Sequence, residues 1–363
     1  MGKASYNIIA LFLFVSIFHL FTASSAMAAE GEPDPETEGP TEFIFHHVQD
    51  AYEWHFITLG HTHITLPLPV ILFSQDRGLE VFMTTKFHGE DHGYAPYNGY
   101  RLTDDAAHIV AEDGREFYDF SITKNVFAMF ISVAVLLLIF LSIANRYKKA
   151  PRTSPKGLQS VLEPLILFVR DDIARPVIGE KKYLRFMPYL LTVFFFILVN
   201  NLLGLLPGSA NVTGNISVTF VLAVITFFIT QFSGNKGYWM HIFNTPGVPK
   251  WLLPIMIPVE IIGLFTKPFS LMVRLFANIT AGHIIILSLI ALIFIFKSVA
   301  MGPVSVLFGT IMTFLELLVA FLQAYVFTLL SAIYFGGAVE EHDHHEHEEE
   351  GMVAELQQDS AMI

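Results

Sequence analysis

The sequence predicts an all-α polytopic membrane protein of five transmembrane helices, the last two a long, strongly tilted antiparallel hairpin. A small β-rich extracytoplasmic domain precedes them. Three observations carry that prediction. Of the 363 residues, 53% are hydrophobic and only 15% charged, whereas a soluble domain carries about a quarter charged residues. Apolar runs recur along residues 125–145, 186–206 and 216–232, each close to the ~20 residues that cross a bilayer core. Two further runs, 255–297 and 303–335, are much longer.

The chain divides into residues 1–28, 29–123, 124–339 and 340–363. The first stretch reads as a signal peptide. Lys3 gives a short basic start, residues 8–21 are apolar but short for a span, and Ala26-Met27-Ala28 fits a small-residue cleavage site. That favours a cleaved signal over an uncleaved anchor. Residues 30–39 are acidic with Pro and Gly, a flexible linker. Strands are expected at 43–45, 54–59, 63–73 and 79–85, with turn signals at Asp76-Arg77-Gly78, Tyr97-Asn98-Gly99 and Glu112-Asp113-Gly114. This domain carries eight histidines, among them His46, His47, His61, His63, His88 and His92. No recognised ligand spacing repeats, so surface and packing histidines are a better reading than a metal site.

Arg146, Lys148, Lys149 and Arg152 follow the first span, with Lys124 before it. The positive-inside rule places that end in the cytoplasm, consistent with an exported N-terminus. Residues 157–177 alternate apolar and charged positions as an interfacial amphipathic helix does. The loop after the second span has no Lys or Arg, as an outside loop should. The last two runs would be roughly 60 and 50 Å long as helices, about twice a bilayer core. They must tilt or bend, and Pro258 and Pro268 offer bend points. The tail from Glu340 is rich in Glu and His and reads as a solvated cytoplasmic end rather than a chelating site. The chain has no cysteine, which excludes disulfides and thiolate metal sites.

Polar residues are sparse in the two long runs: Glu260, Thr266, Lys267, Ser270, Arg274, Asn278 and His283 in the first, Glu316 and Gln323 in the second. An arginine stays charged in any cell, so one inside a span is a functional hypothesis by default. In an antiparallel pair, residues at one height have a constant sum of residue numbers. One register then sets Gln323 level with Arg274 and Glu316 level with His283, to within about 3 Å. Gln323 can solvate the guanidinium without quenching it, and His283 and Glu316 can exchange protons. A fixed cation between titratable groups repels a proton and blocks a continuous wire. Asn278 alone is more often an interhelical hydrogen bond than a relay.

The pattern Lys267-Pro-x-Ser270-Leu-x-x-Arg274-Leu-Phe-x-Asn278-x-x-Ala281-Gly282, with Leu322-Gln323-Ala324-x-Val326-Phe327 and Asn201-Leu-Leu-Gly-Leu-Leu-Pro207, resembles subunit a of the F-type ATP synthase membrane sector. The resemblance covers roughly residues 157–335. It implies a stator subunit in which Arg274 faces the carboxylates of a rotating c-ring, with two offset half-channels carrying protons. By position, Glu260, Thr266 and Ser270 match the cytoplasmic half-channel. His283 and Glu316, in swapped order relative to many bacterial members, match the outside one, bordered by Asn200, Asn201, Asn211 and Ser217. The implied partners are the c-ring, subunit b of the peripheral stalk and membrane lipid. No cofactor, metal or nucleic acid is expected. Neither the exported region nor the acidic tail follows the common family pattern. A self-contained transporter would show internal repeats, which are absent from the sequence. A haem carrier needs facing histidines, and His241, expected in a loop, does not supply one.

Overall fold

The structure, a computed structural model, describes residues 49–59, 62–89, 94–103, 106–149, 157–206, 210–244, 249–296 and 302–340. The expected signal peptide and linker, the strand at 43–45, His46, His47, His61, His92 and the tail beyond 340 lie outside the described residues. The strands are β1 (Glu53–Leu59), β2 (Thr62–Pro67), β3 (Pro69–Ser74), β4 (Gly78–Met83), β5 (Tyr100–Leu102), β6 (Ile109–Ala111) and β7 (Phe117–Asp119). The helices are α1 (Lys124–Lys149), α2 (Leu158–Phe168), α3 (Arg175–Ile178), α4 (Tyr183–Gly204), α5 (Ile216–Ser233), α6 (Lys236–Phe243), α7 (Leu253–Phe296) and α8 (Gly302–Val339). By length and composition, five of them can cross a membrane: α1, α4, α5, α7 and α8. Their bounds lie within a few residues of the expected spans. α7, with 44 residues, continues through both Pro258 and Pro268.

The chain forms two compact units. One comprises residues 1–151, 195–219 and 274–324; the other comprises 152–194, 220–273 and 325–363.

In the first unit, the strands form three small antiparallel sheets, β1-β2, β4-β3-β7 and β5-β6. The single strand expected over 63–73 is instead two strands in different sheets. Pro67 and Pro69 have no N–H to donate, so the ladder of β2 ends at Pro67 and that of β3 begins at Pro69. Between them, buried Leu68 is held by Thr84, whose Oγ1 accepts from Leu68 N at 3.0 Å and donates to Leu68 O at 2.6 Å. Val70, Leu72, Phe87, Tyr100 and Leu102 are fully buried and form the core with Tyr52. The Tyr52 hydroxyl donates to Asp119. Burial, then that carboxylate, holds the phenol above its ordinary value, so it remains a donor at neutral pH.

Asp50 fastens this domain to α1. Its Oδ1 accepts from Asn125 N at 3.0 Å and its Oδ2 from Thr123 Oγ1 at 2.8 Å. A carboxylate supplied from 75 positions away thus satisfies one of the helix's orphan amides and complements its dipole. Trp54 meets Phe127 of α1 edge-on at 5.9 Å, and clusters with Ala128, Ala210 and Val212.

In the second unit, the amphipathic stretch is α2, a π-helical turn over Val169–Ala174, and α3. Val169, Ile173 and Ala174 are buried, while Leu158 and Val161 are exposed. Arg170 grips Asp171 with two bonds of 2.9 and 2.8 Å. Gly336 of α8 backs directly onto the Val177 carbonyl, so no Cβ fits there. The last carbonyls of α8 are satisfied by Lys182 Nζ, 2.7 Å from Val339 O, and Asn235 N, 2.9 Å from Ala338 O. His241 is not in a loop: it lies in the last turn of α6, whose first turn is capped by Asn235 Oδ1 accepting from Tyr238 N at 2.8 Å.

Removing the Asp50 clasp tests its role. Asp50→Ala is expected to cost about 1–2 kcal/mol by loss of a helix cap, with faster hydrogen exchange at the Ala51 and Asn125 amides. Exchange unchanged at both would show that the clasp contributes nothing.

Candidate functional site

α7 and α8 are apolar almost throughout, so their few polar side chains stand out. Within the first unit, residues 274–296 of α7 run antiparallel to residues 302–324 of α8, and two polar contacts fix the pairing. His283 Nδ1 lies 3.2 Å from Glu316 Oε1. Asn278 Nδ2 donates to Gln323 Oε1 at 3.0 Å. Glu316 is only 5% exposed, and among the described residues its carboxylate has no other polar partner than the imidazole. Burying a carboxylate without a hydrogen-bonded partner is costly, so this group's state is tied to His283.

Glycine makes the space. A Cβ on Gly282 would stand 2.9 Å from Glu316 Oε1, too close to be tolerated unless the carboxylate moves. On the other side, a Cβ on Gly204 of α4 would reach His283 Nε2 at 3.7 Å and Asn211 Oδ1 at 4.0 Å. His283, Glu316 and Asn211 therefore surround two residues that lack side chains.

The Gln323 amide, expected to solvate Arg274, is bonded to Asn278, one turn further along α7 than the arginine. Gln323 is buried and Arg274 exposed. The amide faces the interhelical seam, while the guanidinium projects from it. Among the described residues Arg274 makes no hydrogen bond or ion pair within this chain. Exposed apolar side chains flank it on α7 (Val273) and line α8 at Leu315, Leu318 and Leu322, spaced three or four apart.

The remaining predicted residues are placed as follows. Asn201 links elements of the first unit, accepting from Thr213 Oγ1 at 2.6 Å and donating to Ala320 O at 3.2 Å. Asn200 donates to Phe196 O at 2.8 Å and leaves its buried Oδ1 without a partner. Asn211 Oδ1 accepts from Gly214 N at 2.9 Å. Ser217 is exposed in the first turn of α5, its amide donating to Asn215 Oδ1 at 2.9 Å. Thus Asn211 and His283 border the same glycine, Gly204. Glu260, Thr266 and Ser270 belong to the second unit. Glu260 is half-buried, Ser270 is exposed, and the Thr266 hydroxyl donates to Ile262 O at 2.8 Å.

Sequence reasoning missed two features. Thr213 completes the Asn201 link, and its partner is set by tertiary contact. In the second unit, Thr230, Gln231, Tyr238, Lys267 and Tyr334 line a narrow pocket. Tyr238 and Gln231 are hydrogen-bonded at 3.2 Å, and Lys267 lies over the Tyr334 ring at 5.8 Å. Burial pushes the Tyr238 phenol up from its ordinary value. Among the described residues searched, no group of three or more His, Asp or Glu is arranged to hold a metal.

Residues 126–336 match the family model described as ATP synthase A chain, and residues 43–127 match one described as a domain of unknown function (DUF8433). The chain is 53% identical over 233 residues to an ATP synthase subunit a of Chloroherpeton thalassium, covering 62% of this chain and 69% of that protein. It is 42% identical over 332 residues to ATP synthase subunit a 2 of Chlorobaculum tepidum, covering 89% and 80% respectively. The ATP synthase subunit a of Myxococcus xanthus is 47% identical over 239 residues, 63% of this chain and 78% of that one. The longer alignment reaches beyond the membrane part into the N-terminal domain. Five helices long and apolar enough to cross a membrane, an exposed arginine beside a seam of paired polar groups, and these matches place the chain in the family of F-type ATP synthase subunit a, a multi-pass bacterial membrane protein of ATP synthesis and proton transport.

Proposed function

We propose that this chain is the stator proton channel of an F-type ATP synthase, with Arg274 as the barrier between two offset half-channels. His283 and Glu316 relay protons in the outside half-channel, with Asn211 and Asn201 and the further lining groups Asn200 and Ser217. Glu260, Thr266 and Ser270 serve the cytoplasmic one, and Asn278 and Gln323 brace the level of the arginine. The carrier between the half-channels is a carboxylate on each subunit of a rotating c-ring, and the peripheral stalk holds the stator against it.

The observation that supports this reading best is the contrast at the α7–α8 seam. The acid and the imidazole are paired with each other, while the arginine is exposed with no partner in its own chain among the described residues. An unpaired guanidinium in a bilayer needs an anion from elsewhere. A passing carboxylate is such an anion. Helix lengths support a strongly inclined hairpin: 44 and 38 residues correspond to about 66 and 57 Å, beyond what a ~30 Å core accommodates upright. The basic residues ending α1, Arg146, Lys148 and Lys149, support a cytoplasmic C-terminal end for that helix. On this topology residues 1–28 are the signal peptide, 29–123 an extracytoplasmic domain, 124–339 the membrane domain and 340–363 a cytoplasmic tail.

Arg274→Ala in inverted vesicles is expected to abolish ATP-driven proton pumping in an assembled complex, leaving hydrolysis at most uncoupled. Normal pumping would overturn the proposal. Glu316→Gln should slow proton flux with assembly intact, and an unaffected rate would make that carboxylate structural. Gly282→Ala should also slow it, because the new methyl displaces the Glu316 carboxylate. Flux equal to that of the parent in an assembled Gly282→Ala complex would show that the glycine space is not required.

A further inference from the structure

The sheet β4-β3-β7 has two apolar faces. Val70 and Leu72 of β3 point into the domain core and are fully buried. The opposite face ought to be polar, because antiparallel sheets with one packed side usually alternate hydrophobic-in and polar-out. It is not. Along β4 the outward residues are Leu79, Val81 and Met83, paired across to Phe73, Ile71 and Pro69 of β3. Tyr118 of β7 stands opposite Phe73. The pairing continues past the end of β7, with Phe120 N bonded to Ile71 O at 2.9 Å and Ile122 N to Pro69 O at 3.1 Å. The result is a grid of three rows, Phe73–Leu79–Tyr118, Ile71–Val81–Phe120 and Pro69–Met83–Ile122, without a charged side chain in it. Leu79, Val81, Tyr118 and Phe120 are 64, 62, 62 and 65% exposed. From strand geometry the grid measures roughly 10 by 13 Å between its outer positions. A contiguous apolar patch of this kind marks an interaction surface.

What covers it follows from where the chain goes next. Ile122 is followed after one residue by Lys124, the first residue of α1. The sheet therefore ends where the membrane-crossing helix begins, with no linker, and the Asp50 clasp holds that junction. α1 itself exposes Phe130, Ile131, Val133, Leu137, Leu138 and Leu141, the surface a membrane-crossing helix presents to acyl chains. The grid stands immediately before that helix in the chain; its exposed Tyr118, with an apolar ring and a polar tip, is of the type that settles at the level of lipid headgroups, and Phe73 and Phe120 add apolar area beside it.

We infer that the outward face of β4-β3-β7 is a lipid-docking surface, seated in the headgroup and upper acyl region of the leaflet that α1 enters. The inference does not depend on the proton-channel reading or on which side of the membrane the domain occupies. Its effect is to fix the domain on the bilayer beside α1 rather than letting it extend into water.

The absence of native cysteine makes the test direct. Val81→Cys and Phe120→Cys, each carrying a nitroxide label, would be placed in the intact complex in phosphatidylcholine vesicles, with Asp113→Cys at an exposed turn as the aqueous reference. Relaxation by oxygen, which partitions into lipid, and by a water-soluble nickel chelate would then be compared. The expected result is an oxygen-to-nickel ratio several-fold higher at positions 81 and 120 than at 113. A ratio equal to that at 113 would put the face in water and overturn the inference. Protection from both reagents would also overturn it, because a protein partner would then be the cover.

Discussion

A carboxylate buried between two apolar helices must be answered by something close to it. In this chain the answer to Glu316 is the imidazole of His283, 3.2 Å away. Much of the α7–α8 pairing within the first unit is arranged around that contact. Gly282 leaves the space the carboxylate occupies, and Gly204 leaves room beside both Asn211 and His283. Asn278 and Gln323 satisfy each other at a neighbouring level of the seam. With the acid committed to the histidine and the amides to each other, no carboxylate in this part of the chain neutralises Arg274. Its charge stays available for a partner, and that availability is the physical basis of the proposed barrier.

The same reasoning explains why the polar groups elsewhere in the helices are quiet. The Thr230, Thr266, Thr310 and Ser331 hydroxyls each donate to a carbonyl one turn back. Such bonds let a hydroxyl sit in an apolar helix without a partner on another element. Groups too long or too strongly charged for that solution, such as His283, Glu316, Arg274 and Lys267, reach outward instead. Lys267 finds the face of Tyr334.

The five spans were legible because uninterrupted apolar runs leave little freedom in their placement, and the pairing of His283 with Glu316 was legible because so few polar residues compete for partners there. The partner of the Gln323 amide was not: two amides and a guanidinium lie within about one turn, and numbering alone does not say which of them faces the seam. Pro67 and Pro69 were visible but were read inside one strand, since the hydrophobic alternation on either side continues in phase. β5, β6 and β7, each three residues long, carry too little periodicity to register. α6 was missed because its eight residues mix Tyr, Trp and His, and its cap is a single Asn235. Gly282 stood in plain view within the quoted motif, but its purpose appears only once Glu316 is seen beside it.

The central claim is that His283 and Glu316 act as one acid–imidazole pair. Exchanging them tests it most directly, through proton flux in the single variants His283→Glu and Glu316→His and in the double variant carrying both. The account predicts that each single variant loses flux, through two facing acids or two facing imidazoles, and that the double variant recovers a substantial part by restoring one of each across the same seam. A double variant no more active than either single one, with the complex assembled, would contradict it.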